Sequence, residues 1–321
     1  MPYRHLQRRQ LLALRSLRTL VLTGLTVLLS ACAGKAPNLP SPDQLAHLPR
    51  QVLIDVPFHA QDEFQCGPAA LAMIFNHHLI PSEPEDLTDR VYIPAREGSL
   101  QIEMVAAARE QDLLVYPLKG NITNLLTELA AGNPVLVMQN LRFDWYPQWH
   151  YAVAVGYDLN RDVLILHSGL DEAKPQALTV FSNTWNRADR WARVILPPDQ
   201  LPATAEALPY LTAAADLEQT GRLRAAETAY RTALHKWPEE PAARFGLGNV
   251  AWMQGRRGEA ARIFVDVANA HPAFSPGWQN LATALEELGC HNQATNAIEC
   301  HRSRQSVLSC PINDCAALTA E

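Results

Sequence analysis

A cysteine and a histidine that lie far apart in the sequence have the pattern of a nucleophile and its base. Cys66 stands immediately before Gly67-Pro68 and an apolar run that predicts a buried helix over 67–77. Proline suits a first helical turn, and a thiol there lies at the positive end of the helix dipole, which lowers the thiol pKa. His150 begins the strand-like run HYAVAVGY, which would hold an imidazole rigidly. This combination predicts nucleophilic catalysis.

Other side chains near this pair in the sequence could serve the same chemistry. Gln61 lies five residues before Cys66, and its side-chain amide could donate to an oxyanion beside the nucleophile. Trp145, Tyr146 and Trp149 precede His150. We expect these aromatic rings either to line a substrate cleft or to pack.

The elements that must position these residues form a mixed pattern. Helices are predicted first, at 67–77, at 99–110 with Ser99 as cap, and at 121–131. Strands then dominate, at 135–139, 151–157, 163–166, 177–181 and 191–196, after an opening strand over 51–58. Helices followed by strands predict an α+β domain with a largely antiparallel sheet.

Two motifs carry a resemblance to a known family. Gln-x-x-x-x-Cys-Gly-Pro-Ala-Ala-Leu at 61–71, followed by His-Tyr-Ala-Val-Ala-Val-Gly-Tyr-Asp at 150–158, resembles the papain-like cysteine peptidases that process bacteriocin leaders after a double glycine. The resemblance extends over about residues 52–170. It implies a papain-like fold in which Cys66 is the nucleophile, His150 the general base and Gln61 the oxyanion donor. It also implies a peptide or protein substrate, and no cofactor is expected.

The sequence departs from that family in the group behind the histidine. The family usually has Asp-Pro after the next strand, where this chain has either His167 or Ser168, depending on the alignment. A neutral group can still fix the imidazole tautomer, and Asp171 could reach in from the loop. The alternative function is a catalytically degenerate module that binds peptides. Since neither a nucleotide-binding motif nor a bundle of membrane spans follows, we expect a free-standing relative of the exporter peptidases.

The N-terminus predicts export and lipid anchoring. Residues 1–31 have a basic start and a short apolar run, typical of a signal peptide. Leu29-Ser30-Ala31-Cys32 resembles the bacterial lipobox, which implies cleavage before Cys32 and a lipid on its thiol. With Ala33 next, the resemblance favours the outer membrane, facing the periplasm. A plain signal peptide is the alternative, and residues 32–50 are expected to be a tether.

Length and charge limit the remaining possibilities. The 321 residues, 48% of them hydrophobic, suggest about two domains. We place them at 51–200 for the peptidase-like part and at 201–321 for the rest, and a polar, Pro-containing stretch at 197–206 predicts that they are separable. The formal net charge of -6 offers no basic surface for nucleic acid.

The last third of the chain repeats with a period of 34 residues. Gly221, Gly255 and Gly289 align, as do Ala226, Ala260 and Ala294. This period resembles the tetratricopeptide repeat, an all-α helix pair that binds proteins. We therefore expect a protein partner for the repeats.

Four cysteines near the C-terminus form a separate group, namely Cys290, Cys300, Cys310 and Cys315. An even number in an exported chain predicts two disulfides, with three possible connectivities. Zinc binding with His291 and His301 and free thiols are the alternatives, although the spacing does not match common zinc sites.

Overall fold

A computed structural model describes residues 39–60, 65–96, 98–303 and 315. Nine strands are described, namely β1 (Gln51–Leu53), β2 (Tyr92–Ile93), β3 (Gly98–Ser99), β4 (Leu114–Pro117), β5 (Val135–Asn140), β6 (Trp149–Asp158), β7 (Val163–Ser168), β8 (Asp171–Ala177) and β9 (Ala192–Leu196). The first five helices of the same part of the chain are α1 (Cys66–His77), α2 (Pro84–Val91), α3 (Gln101–Glu110), α4 (Ile122–Ala130) and α5 (Leu178–Asn186). Six more follow them, α6 (Ala207–Gln219), α7 (Leu223–Lys236), α8 (Pro241–Met253), α9 (Arg257–Ala270), α10 (Ser275–Glu287) and α11 (His291–Ser303).

Seven of the strands form one antiparallel sheet. Its order is β4-β9-β5-β6-β7-β8, and β1 pairs with the far end of β6. The register is irregular between Ala154 and Gly156, where β6 changes partners. A Cβ at Gly156 would lie 2.2 Å from the carbonyl oxygen of Val52, so glycine is required for β1 to approach this closely. The predicted α+β class and antiparallel sheet are confirmed.

The two faces of the sheet pack against different helices. Alternate residues of β5 and β6, such as Met138 and Tyr151, lie in one core with α1, α2 and α3. The intervening residues, such as Val137 and Ala152, lie in a second core with α4 and α5. Helix α1 is buried all round its first nine positions after Cys66, which explains its uniformly apolar sequence.

Two local predictions are wrong. Residues 177–181 do not form a strand of their own, since Ala177 ends β8 and residues 178–181 begin α5, where Leu178, Phe181 and Trp185 are buried at helical spacing. The strand of this region is β8, which precedes it. Ser99 is not the cap of α3, since the helix begins at Gln101 with Leu100 at the cap position, and Ser99 instead pairs with Tyr92 between β2 and β3.

The helices from α6 to α11 form three pairs, one for each unit of the 34-residue period. A glycine in the left-handed conformation ends the first helix of each pair, with φ of +77° at Gly221, +82° at Gly255 and +78° at Gly289. Aromatic rings of the second helices pack on glycines of α8, that of Tyr230 from the preceding unit and that of Phe264 from the same unit. A Cβ at Gly246 would lie 2.2 Å from the ring of Tyr230, which therefore sits directly on the backbone of α8.

The first repeat shares its hydrophobic core with the sheet. Tyr210 on α6 is buried in the same cluster as Leu114 and Tyr116 of β4. The buried carboxylate of Glu128 accepts hydrogen bonds from the backbone N–H groups of Ala203 and Thr204, at 3.0 and 2.7 Å. A polar stretch predicts a linker from composition, but these long-range contacts hold it against the sheet.

The C-terminal cysteines are partly described. Cys290 and Cys315 form a disulfide, and Cys300 is also disulfide-bonded. Cys310 lies outside the described residues, as do the predicted signal peptide and the candidate lipidation residue Cys32. No helix within the described ranges is long and apolar enough to cross a membrane.

Candidate functional site

Cys66 is the first residue of α1 and lies where the helix meets β6. Backbone N–H groups of Tyr151, Cys66 and Gly67 lie near enough to its sulfur to favour the thiolate. These donors lower the pKa of the thiol, but burial raises it by more, and the pKa lies above its ordinary value of 9.0. The sequence argument from the helix dipole gave the wrong net direction, because it could not include burial of the thiol.

The start of α1 is tightly packed against the strand that precedes α3. A Cβ on Gly67 would lie 2.2 Å from the Oγ of Ser99 and 3.1 Å from the sulfur of Met104. The residue after Cys66 must therefore be glycine unless Ser99 moves. This contact fixes how far the first turn of α1 can shift, and with it the thiol.

His150 is the second residue of β6, and its ring is held by a hydroxyl group. Nε2 of His150 lies 2.8 Å from Oγ of Ser168, at the end of the neighbouring strand β7. Burial, together with the nearby positive charge of Lys174, lowers the pKa of His150 to about 4. At neutral pH the ring is therefore neutral and can accept a proton.

His167, the other candidate for holding the imidazole, is engaged elsewhere. Its Nε2 lies 2.9 Å from the carbonyl oxygen of Val56, and its Nδ1 accepts the N–H of Ala173 at 3.0 Å. His167 is therefore not the orienting group, because its ring bonds to Val56, whereas the hydroxyl of Ser168 bonds to His150. Asp171 pairs with Lys174 at 2.6 Å rather than with the imidazole.

The thiol lies near the backbone of the strand that carries the imidazole. The N–H group of Tyr151, which favours the thiolate, is bonded to the carbonyl carbon of His150. The ring of Tyr151 packs in the core beside α1, whereas His150 turns to Ser168. Both side chains are described, and no hydrogen bond joins them directly. Such contacts often tighten only when a substrate binds.

The hairpin between β5 and β6, residues 141–148, presents aromatic rings next to Cys66 and His150. Its base is closed by Asn140, whose Oδ1 accepts the N–H groups of Arg142 and Gln148 at 3.1 and 3.0 Å. The rings of Phe143 and Trp145 stack with centroids 5.6 Å apart, and Trp145 is 81% exposed. Aromatic rings that are held in place yet exposed to this degree point to a binding surface.

A cavity of about 470 Å³ opens beside the hairpin. Its lining includes Trp149, the neighbour of His150, and is otherwise polar, formed by Asn140, Asp144, Asn186, Arg187 and Asp189. The cavity therefore offers a polar pocket directly next to the imidazole-bearing strand.

The structure describes three of the candidate site residues but not the fourth. It brings Cys66, His150 and Ser168 to one end of β6, while Gln61 lies outside the described residues. Sequence reasoning missed the N–H of Tyr151, which carries no side-chain signature. Its only sequence signal was its position, directly after the candidate base.

Comparisons with known proteins identify both parts of the chain. Residues 53–192 match the family model described as a Peptidase_C39 like family, and residues 211–273 match a tetratricopeptide repeat model. These matches confirm the expected papain-like domain followed by helical repeats. A comparison with curated proteins finds no match.

Three solved structures are similar to the first domain, and each comparison covers 46% of this chain. One is a double glycine motif protease from an AMS/PCAT transporter in complex with the leader peptide, 17% identical over 94% of its chain with a TM-score of 0.36. Another is described as a C39-like peptidase from Bacillus anthracis, 17% identical over 98% of its chain with a TM-score of 0.39. The third is the peptidase domain of Streptococcus ComA, an ABC transporter of a quorum-sensing pathway, 18% identical over 99% of its chain with a TM-score of 0.35.

Proposed function

We propose that this protein is a cysteine peptidase of the bacterial cell envelope that hydrolyses peptide bonds with Cys66 as nucleophile and His150 as general base. The observation that carries the proposal is the position of the thiol at the start of α1, where the backbone N–H of Tyr151, the residue next to His150, favours the thiolate. The candidate nucleophile therefore lies near the end of β6 that carries the candidate base. The match of residues 53–192 to a peptidase-like family supports the same activity.

Each step of the reaction follows from these groups. Because Nε2 of His150 is held by Ser168, its Nδ1 is the nitrogen available to the thiol. As the sulfur attacks the substrate carbonyl carbon, the thiol proton passes to Nδ1, and the carbonyl oxygen becomes an oxyanion. Gln61 would stabilise that oxyanion. The C–N bond then breaks, and the amine leaves with the proton from His150.

Water completes the cycle. The acyl group is now a thioester on Cys66, and His150 has returned to its neutral form. It accepts a proton from water as the water oxygen attacks the thioester carbon. Collapse of the second tetrahedral intermediate releases the carboxylic acid, and the sulfur regains its proton. No cofactor is needed for any of these steps.

A second candidate function is supported by the resting charge state of the site. Burial raises the pKa of Cys66 and lowers that of His150, so both groups are neutral at pH 7. No carboxylate is hydrogen-bonded to the imidazole in the described part of the chain. These features suit a module that binds peptides at the aromatic hairpin without cutting them.

Location and partners form part of the proposal. The sequence over 1–32 supports export and attachment of a lipid to Cys32, with the domain facing the periplasm from the outer membrane. The tetratricopeptide repeats at 211–273 support a protein partner. The proposed reaction and its partners do not involve a nucleic acid.

The experiment is a digest of a peptide library prepared from bacterial envelope proteins. The purified full chain is incubated with the library, and new peptide termini are identified by mass spectrometry. We expect new termini with the native chain and none with the Cys66→Ser variant. Peptides that are retained on the native protein but never cut would reject the peptidase and support the binding module.

A further inference from the structure

The first repeat supplies a carboxylate to the core beneath α1 and α3. Asp216, on α6, forms an ion pair with the guanidinium of Arg109, near the end of α3. The two side chains are largely buried, with 33% and 21% exposed. Nε of Arg109 is buried without a hydrogen-bond partner in the described part of the chain, so Asp216 is the acid that compensates this charge.

A second, partly buried guanidinium is influenced by the positive charge of Arg109. Arg193, on β9, donates to the carbonyl oxygen of Ala192 at 2.8 Å and lies over the ring of Trp191, 4.7 Å from its centroid. Burial and the positive charge of Arg109 lower the pKa of Arg193 to about 10. Two like charges in a region of low dielectric repel each other. The ion pair with Asp216 therefore restrains where both guanidinium groups can lie.

Trp191 and Tyr151 connect this pair of cations to the thiol of Cys66. The ring of Trp191 meets the ring of Tyr151 edge to face, with centroids 5.7 Å apart. The carbonyl oxygen of Trp191 also accepts the N–H of Met138, which pairs with Tyr151 in the sheet. Cys66 packs against the same hydrophobic cluster as Tyr151 and Trp191, and the backbone N–H of Tyr151 favours its thiolate.

We propose that Asp216, although it belongs to the repeat domain, is a positioning residue for the Cys66 thiol. It acts through Arg109, which together with Arg193 keeps Trp191 packed against Tyr151. The inference rests on the proposed function, in which this thiol is the nucleophile. With this role for Asp216, the first repeat helps to hold the active-site residues in position. A protein that displaces α6 when it binds the repeats would therefore change the reactivity of the thiol.

The test follows alkylation of Cys66 by iodoacetamide in the full-length protein, with the modified peptide quantified by mass spectrometry across a pH series. In Asp216→Asn, we expect the midpoint of the pH profile to rise by about 0.5 unit, because the N–H of Tyr151 no longer meets the sulfur well. Asp216→Glu should retain the native midpoint. A purely electrostatic effect has the opposite sign, since loss of a negative charge favours the thiolate.

Two further variants keep the test decisive. Arg222→Gln breaks another ion pair across the same interface, Arg222 with Asp112 at 3.9 Å, and should leave the midpoint unchanged. Should Asp216→Asn fail to fold, the double variant Asp216→Asn/Arg109→Gln leaves no unmatched charge and should still raise the midpoint. An unchanged or lowered midpoint in a folded variant overturns the proposal. Alkylation does not require peptide cleavage, so a lack of peptidase activity would leave this result readable.

Discussion

The imidazole of His150 is held by a hydroxyl group, with its Nε2 2.8 Å from Oγ of Ser168. A serine can fix the orientation and tautomer of the ring, but it carries no charge that would stabilise the imidazolium formed during catalysis. The site is therefore arranged for proton transfer without the electrostatic assistance that a carboxylate provides.

Replacement of Ser168 tests this arrangement. We expect Ser168→Ala to lower kcat/KM by about tenfold, because the ring loses its fixed tautomer. Ser168→Asp should raise kcat/KM above the native value, since a carboxylate beside Nε2 stabilises the imidazolium. The measurement is steady-state hydrolysis of a peptide identified in the library digest. A Ser168→Asp variant that folds normally yet is slower than Ser168→Ala would contradict the role assigned to this position.

Titration of His150 gives a second prediction. Lys174→Met removes a positive charge and should raise the pKa of His150 from about 4, as followed by the NMR shift of its ring protons. Asp171→Asn breaks the same ion pair but keeps the cation, so it should not raise the pKa. Equal effects of both substitutions would show that Lys174 does not act through its charge.

The titration of His150 also makes the free energy of unfolding depend on pH. The pKa of His150 is about 4 in the folded chain and 6.5 in the reference state. Between these values the unfolded chain binds a proton that the folded chain does not. The free energy of unfolding should therefore fall as the pH drops from 6.5 to 4, and His150→Gln should remove this part of the dependence.

The aromatic hairpin gives a prediction about substrate binding. Trp145 is 81% exposed and packs on the rings of Phe143 and Tyr146 in its own hairpin. Trp145→Ala should raise KM several-fold with little change in the melting temperature, because the ring contacts substrate rather than core. Leu208→Ala, at a position 77% exposed on α6, is the control and should change neither quantity. An unchanged KM for Trp145→Ala would remove the hairpin from the substrate site.

The joint between the domains gives a prediction about stability. Glu128 is fully buried and accepts three hydrogen bonds from Ala203 and Thr204. Glu128→Ala leaves these donors unpaired and should lower the free energy of unfolding by about 2–3 kcal/mol in urea titrations. Glu206→Gln, which breaks an exposed ion pair with Lys119 at the same joint, should cost less than about 0.5 kcal/mol. Similar losses in the free energy of unfolding for Glu128→Ala and Glu206→Gln would mean that the buried carboxylate does not hold the first repeat against the sheet.

Local sequence signals predicted the elements that carry the thiol and the imidazole. The Gly-Pro start and the uniformly apolar run identified α1, and the continuous apolar run at 151–157 identified β6. The 34-residue period likewise identified the repeats. In each case the signal lies within a few adjacent residues, or in their regular recurrence.

Other features depend on contacts between distant parts of the chain. Residues 178–181 have strand-forming types, but burial of Phe181 against the sheet makes them helical. The pKa of Cys66 depends on burial beneath β6, which no local pattern reports. The choice between His167 and Ser168 required the register of β7 against β6, where a shift of one residue exchanges the two faces. The shared core of sheet and first repeat is likewise a long-range result.

The most direct test of the account is the rate at which Cys66 is acylated. The reagent is acetyl-glycylglycine p-nitrophenyl ester, and release of p-nitrophenol is followed in stopped flow at pH 7, with the thioester located by mass spectrometry. We expect a burst of one equivalent in the native chain, no burst in Cys66→Ser, and acylation slowed about 100-fold in His150→Gln. Acylation of Cys66 at the native rate in a folded His150→Gln variant would contradict the claim that these two residues act together.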